Sequence, residues 1–523
     1  MSNEIDASLR RRAAAGRNGA GIRTADRQDQ GAEHGERRHR ATAGQRRLPN
    51  ADRDGRGSTD PNASQNVIVF DPFRAIRRGR QLFQRKFTRL EGQGAAFGDG
   101  FGNIDVDLAI GAGLADSCAG CHGRPRGAAG FGGDVATRPD SRDAPHLFGL
   151  GLKEMLADEI TTDLRAIRDA AVADASRSGS PVLRPLTSKG ISYGRIRAMP
   201  GGGVDASDVE GVAPDLRVRP FFHHGGTISI REFVVGALNA EMGLAMAGDP
   251  NLIAAQSGPA ITPAGMRLNG LSDSIERAPA EEGDVGSVDQ RTALVDFLEF
   301  YLLNYFKPAT GEQTPTVARG RRLFEQVGCT TCHIPDLVIQ RDRRVADVET
   351  VFDPDRGNFN RLYATARLLL ENPSSIGQEG VPKRPAFQRF VVRNIFTDFK
   401  QHDLGPGFHE RNYDGTLRTH FLTTALWGAG STAPYGHDGR SINLMEVIVR
   451  HDGEAADSRA AFEKLAQADR DAVIAFLGSL VLFPPDDTAS NLDPGDRSAQ
   501  GFPQSRHGSI RLTVLFNHPA VVE

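Results

Sequence analysis

The chain has 523 residues, 39% of them hydrophobic, which is enough for two or three domains that each bury a core. Its formal charge of −3 hides an asymmetry: residues 1–57 hold 13 Arg against 8 acidic side chains, leaving 50 basic against 58 acidic, a net −8, for the body. That body carries no electrostatic footprint for nucleic acid, and no run approaches the roughly 18 apolar residues of a membrane span.

Residues 1–57 contain no aromatic side chain and only Ile5, Leu9, Ile22 and Leu48 as large aliphatics. Too little apolar surface is available to offset the entropy of ordering. Segment 1–60 therefore reads as a disordered, Arg-rich tail.

Two halves then repeat one order of elements. The first opens with Arg78-Gly79-Arg80-Gln81-Leu82-Phe83 and the second with Arg319-Gly320-Arg321-Arg322-Leu323-Phe324. Phe73, Ile76, Leu82, Phe83 and Phe87, then Val317, Leu323, Phe324 and Val327, recur at helical spacing, so each segment predicts an amphipathic helix. Each half continues with a Cys-x-x-Cys-His motif and a glycine-rich histidine loop, Phe222-His223-His224-Gly225-Gly226 and Tyr435-Gly436-His437-Asp438-Gly439. Each closes on an apolar helix, Thr292–Phe306 and Arg470–Phe483, with Phe476-Leu477 repeating Phe297-Leu298. The expected organisation is a domain over 61–306, a Pro/Gly/Thr-rich linker over 307–315, a second domain over 316–485 and a tail over 486–523. Strand signals are few, at Ile191–Arg197 and Ile510–Phe516. The fold class expected is mainly α with minor β: two cytochrome c-like domains.

All four cysteines sit in the two motifs, Cys118-Ala119-Gly120-Cys121-His122 and Cys329-Thr330-Thr331-Cys332-His333. Two thiols spaced this way add across the vinyl groups of a haem, and the adjacent histidine becomes the proximal iron ligand. A four-cysteine zinc site would bring distant pairs together and leave both histidines unexplained. Redox dithiols explain one histidine by chance, not two. Two covalent c-type haems are therefore expected. Their attachment normally takes place outside the cytoplasm, which predicts a periplasmic or otherwise extracytoplasmic protein. No basic-then-apolar signal peptide opens this chain, so the first 57 residues are read as a mis-assigned start in place of a leader.

The segment Thr423-Thr424-Ala425-Leu426-Trp427-Gly428 through Thr432-Ala433-Pro434-Tyr435-Gly436-His437-Asp438-Gly439-Arg440 resembles the one after the second haem in bacterial di-haem cytochrome c peroxidases. It is more similar to their relatives, the di-haem oxidoreductases, variously named "putative peroxidase" or "thiol oxidoreductase". Phe396-Thr397-Asp398-Phe399-Lys400 with His402-Asp403-Leu404-Gly405-Pro406-Gly407 fits the same pattern, as do Ala144–Gly151 and Val209-Glu210-Gly211 through Arg219-Pro220. The resemblance spans about residues 70 to 485. It implies two cytochrome c domains with an interdomain calcium ion, one haem reactive and the other its electron source.

Carried over residue by residue, the resemblance gives His333 and His451 as the axial ligands of the second haem, a bis-histidine relay. The alternative for His451 is a helix-end surface residue. Met445 reads as core, and His437 and Asp438 as structural. At the first haem His122 is proximal and Glu241, in Asn239-Ala240-Glu241-Met242, is the candidate acid–base. Peroxide cleavage needs a proton moved from its inner to its outer oxygen, which a carboxylate can carry; the alternative is a solvated helix residue. His146 is a candidate sixth ligand there. The peroxidases' inter-haem tryptophan has no counterpart: His223 takes its position, and the single tryptophan is Trp427. Calcium would take oxygens from Asp143, Thr432 and Pro434.

The function implied is a haem-dependent, peroxidase-like oxidoreductase, with a non-catalytic di-haem electron carrier as the alternative. An intracellular ligand sensor has little support, since no output module remains unassigned. Expected partners are a small redox protein or quinone-linked donor and peroxide or another small oxidisable substrate, without nucleic acid. Thiol chemistry is not implied, because the haems consume every cysteine.

Overall fold

The computed structural model describes residues 72–88, 93, 115–122, 143–242, 244, 260–261, 267–268, 294–304, 309–340, 348–353, 358–363, 389–411 and 415–481. The chain divides into two units, Met1–Arg47 and Leu48–Glu523, and all of these residues belong to the second. The tail expected over 1–60, the strand expected at Ile510–Phe516 and the tail over 486–523 lie outside the described residues.

Helix α1, Pro72–Gln84, buries Ala75, Leu82 and Phe83 on one stripe. The first cysteine motif itself forms the short α2, Cys118–His122. The long α3, Leu150–Ser178, begins after Gly149 (φ 72°) and stops at Gly179 (φ 66°), whose N–H donates to the Ala175 carbonyl. Glycine takes this left-handed stop without a Cβ penalty. Strands β1, Val182–Ser188, β2, Ile191–Ala198, and β3, Val204–Asp205, form an antiparallel sheet in the order β1-β2-β3. Its inward residues Leu186, Tyr193 and Ile196 join Met155, Leu156, Ile160 and Leu164 of α3 in one core cluster. The motif reading anticipated β2 but neither α3 nor the extent of this layer.

Helices α4, Ile230–Met242, and α5, Leu294–Asn304, complete the first half. The second contains α6, Pro315–Gln326, started by the Thr314 hydroxyl accepting from Val317 N–H. It continues with β4, Leu337–Ile339, β5, Phe390–Val392, β6, Gln401–Asp403, and β7, His420–Leu422, where β4 pairs with β5 and β6 with β7. Then come α7, Leu444–Arg450, α8, Ala456–Glu463, and α9, Gln467–Gly478. The expected linker is not wholly irregular: Ala309–Thr310 pairs with Leu480–Val481, tying the two ends of the second half together. Helix exceeds strand among the described residues, and the strand falls into one three-stranded sheet and several two-stranded ones.

The sequence repeat has a packing cause. In each half the opening helix packs on the closing one, α1 on α5 and α6 on α9. A side chain at Gly79 would collide with the Phe297 carbonyl, and one at Gly320 with the Ala472 carbonyl and the Phe476 side chain. Glycine weakens a helix interior, yet here the backbones cross too closely for any Cβ. Phe324, Phe396 and Phe476 then pack edge-on or tilted at 5.5–5.8 Å between ring centres, over the second cysteine motif.

Candidate functional site

The second motif leaves α6 through Gly328 (φ 87°) and makes a tight turn at Cys329–Thr331. His333 follows, its Nδ1–H donating to the Phe396 carbonyl at 3.0 Å. A carbonyl only accepts, so this bond fixes the tautomer and leaves Nε2 as a lone pair, the form a metal-ligating imidazole needs. Burial, with a contribution from neighbouring His451, pulls the pKa of His333 down to about 4, so the ring is neutral.

His451 ends α7 and repeats the arrangement, with Nδ1–H donating to the Val447 carbonyl at 2.6 Å. Its ring sits edge-on to Phe408, 5.3 Å between centres, and burial lowers its pKa. His333 and His451 line one cavity of about 290 Å³ together with Cys329 and Cys332. Leu404, Phe421, Leu426 and Leu444 supply apolar wall. The volume is near the lower end of the roughly 300–1,000 Å³ of cofactor sites. Paired thiols, two neutral imidazoles and apolar walls are the donor set and cradle a covalently attached haem requires.

At the first motif His122 Nδ1–H donates to the Pro145 carbonyl at 2.8 Å, the same device as at His333. None of the four cysteines forms a disulfide. Desolvation pushes the Cys118 and Cys329 thiols up to about 12, opposite to the lowered values of reactive dithiols. His146 lies beside His122 and lines the cavity of the second motif. Its Nδ1 accepts from Phe148 N–H at 3.3 Å, and the Trp427 main chain lies close to the ring. Burial first, then Lys153 and His122, lower its pKa to about 4.

Glu241 is half-buried near the end of α4, and its carbonyl accepts from Ala115 N–H at 2.9 Å, three residues before Cys118. The fold thus brings it to the first motif and leaves it out of the second cavity. Asp143, Thr432 and Pro434 all line the rim of that cavity. Asp143 is buried, and its N–H donates to the His437 carbonyl at 2.8 Å. A Cβ at Gly439 would press on both Pro434 and Asp143. Thr432 Oγ donates to the Gly428 carbonyl at 3.0 Å.

His437 is buried and stacks on Phe421, 4.1 Å between centres. Its Nε2 lies 3.4 Å from a Glu410 carboxylate oxygen without a hydrogen bond. Asp438 is held between Arg440 and Arg450. Burial opposes its charge, but the two guanidiniums outweigh it and lower the pKa to about 2. Met445 packs on the core of the second half with Phe324 and Phe476.

The motif reading gave no role to Asp398, His402 and Glu454. Asp398, His402 and Cys332 bring one donor atom each within 4.8 Å of one another. Both His402 nitrogens donate to carboxylates, 2.8 Å to Asp398 and 2.7 Å to Glu454, so the ring has no lone pair for an ion. The cue in the sequence was the short spacing of Asp398 and His402, but Glu454 is 52 residues further on and only the fold joins them.

Two histidines set alike beside paired cysteines are the donor arrangement a haem redox site requires. Residues 371–480 match the family described as "Di-haem oxidoreductase, putative peroxidase", the family that the motifs resemble. No curated protein matches. Among solved structures, a Kuenenia stuttgartiensis hydrazine synthase chain pressurized with xenon is 14% identical, over 78% of this chain and 92% of its own. Its TM-score of 0.29 is too low to carry an argument about fold or function. Among the described residues no helix is long and apolar enough to cross a membrane.

Proposed function

We propose that the protein is a di-haem c-type oxidoreductase of peroxidase type, built as two cytochrome c-like domains over 61–306 and 316–485. One haem would be bound covalently at Cys118 and Cys121 with His122 as ligand. The other would be bound at Cys329 and Cys332 between His333 and His451. The observation that carries this reading is the repeated bond from Nδ1–H to a main-chain carbonyl at His122, His333 and His451.

When bound, the haems supply the electrons and the site at which peroxide is reduced. The chain's residues do the rest. His333 and His451 would both hold the second haem, which would suit that site to electron relay and leave the first as the reactive one. Glu241 moves the proton between the two peroxide oxygens. Asp143, Thr432 and Pro434 offer oxygens to a calcium ion at the rim of the second site. The donor is a small redox protein or a quinone-linked carrier, and the compartment is extracytoplasmic.

The test is peroxide-dependent oxidation of a pre-reduced small cytochrome by the haem-loaded protein. Turnover is expected; its absence at full haem content would favour the electron-carrier alternative.

A further inference from the structure

His402 lies on β6, buried, with Nε2–H donating to Asp398 Oδ2 at 2.8 Å and Nδ1–H donating to Glu454 Oε2 at 2.7 Å. Two donated protons make the ring an imidazolium. Burial works against that charge, but the bonds to the Asp398 and Glu454 carboxylates, with the Cys332 sulfur close by, outweigh it and raise the pKa to about 11. Each carboxylate is anchored in turn. Asp398 accepts from Lys400 N–H at 2.9 Å, and its carbonyl accepts from the Tyr193 hydroxyl at 2.8 Å. Glu454 accepts from Asp403 N–H at 2.9 Å.

The two carboxylates sit at informative places in the chain. Asp398 is two residues beyond Phe396, whose carbonyl orients His333. Glu454 is three residues beyond His451, in the turn that follows it. One side chain therefore ties both histidine-bearing segments to each other, within 4.8 Å of the Cys332 sulfur.

We infer that His402 is a positioning residue of the second site: a fixed positive charge against the Cys332 sulfur that holds the His333 and His451 segments in register and sets the reduction potential of the haem bound there. This rests on the haem reading above. A positive charge beside the iron favours its reduced state, and each neighbouring carboxylate favours the oxidised one. In the native protein the imidazolium stands between them.

The test is the midpoint potential of the second haem in the full-length, haem-loaded protein, measured by spectroelectrochemistry for wild type, His402→Gln and Glu454→Gln. Removing the cation should shift the potential downward and removing the carboxylate should shift it upward, with the low-spin spectrum kept in both. A merely structural role would loosen the same turn in both variants and give no such opposition in sign. Shifts of one sign, no shift, or loss of the low-spin spectrum in Glu454→Gln would overturn the inference. Should His402→Gln fail to fold, Glu454→Gln decides alone: an upward shift supports the inference and an unmoved potential overturns it. Haem content is read on the same samples. Wild type without covalent haem would defeat the haem reading itself, whereas full haem with unmoved potentials defeats this inference alone.

Discussion

His333 and His451 face one cavity, each with its Nδ1–H committed to a main-chain carbonyl, Phe396 at 3.0 Å and Val447 at 2.6 Å. Each ring is thereby fixed in the tautomer that leaves Nε2 for a metal. His451→Ala should convert the second haem from low-spin to high-spin while its covalent attachment survives, because the thioethers and His333 still hold the porphyrin. Electron paramagnetic resonance checks this, and an unchanged low-spin signal would remove His451 from the site.

Glu241→Gln keeps shape and most hydrogen bonding but cannot take a proton from peroxide. Turnover should fall about 10²-fold or more, roughly 2.7 kcal/mol of barrier, with resting spectra of both haems unchanged. Equal rates for the two proteins at matched haem content would exclude Glu241 from proton transfer.

Gly320→Ala should destabilise the second half, although alanine is the better helix former by about 1 kcal/mol. The new Cβ would run into the Ala472 carbonyl, a main-chain atom that moves only with α9. Overpacking of this kind costs about 1–3 kcal/mol. Thermal unfolding should show a lower midpoint for Gly320→Ala; a midpoint raised by the propensity gain would show that the helices can part freely.

Asp438 titrates in the folded protein at about 2, below its ordinary value of 3.8, because Arg450 and Arg440 outweigh the cost of burial. A depressed carboxyl pKa contributes stability that is fully present above the unfolded pKa and is lost as pH falls through the folded one. Wild type should therefore exceed Asp438→Asn by on the order of 1–2 kcal/mol at neutral pH, with the gap closing between about pH 4 and pH 2. Denaturant titrations across that range measure it, and a gap independent of pH would rule out the ion pairs as its source.

The helices that open and close each half were legible because apolar spacing and the Arg-Gly-Arg and Phe-Leu repeats are local signals. They appear as α1, α5, α6 and α9. The cysteine motifs were legible for the same reason, as fixed spacings along the chain, whereas His451 was singled out only through the family resemblance. The long α3 was not, because its inward stripe is diluted by Ala171, Ala175 and the buried polar Glu154 and Thr161. Nor was the Asp398–His402–Glu454 bridge, whose members meet only once β6 pairs with β7 and the turn after α7 folds over it. His146 could not be placed by counting either: its nearness to the Trp427 main chain brings together residues 281 apart.

Covalent haem on Cys118, Cys121, Cys329 and Cys332 underlies every role proposed above. The most direct measurement is the pyridine haemochrome spectrum of protein denatured and extracted with acidic acetone, for wild type, Cys118→Ser/Cys121→Ser and Cys329→Ser/Cys332→Ser. Two haems per chain retained by wild type, and one by each variant, is the expected result. Loss of all colour to the solvent from wild type would contradict it.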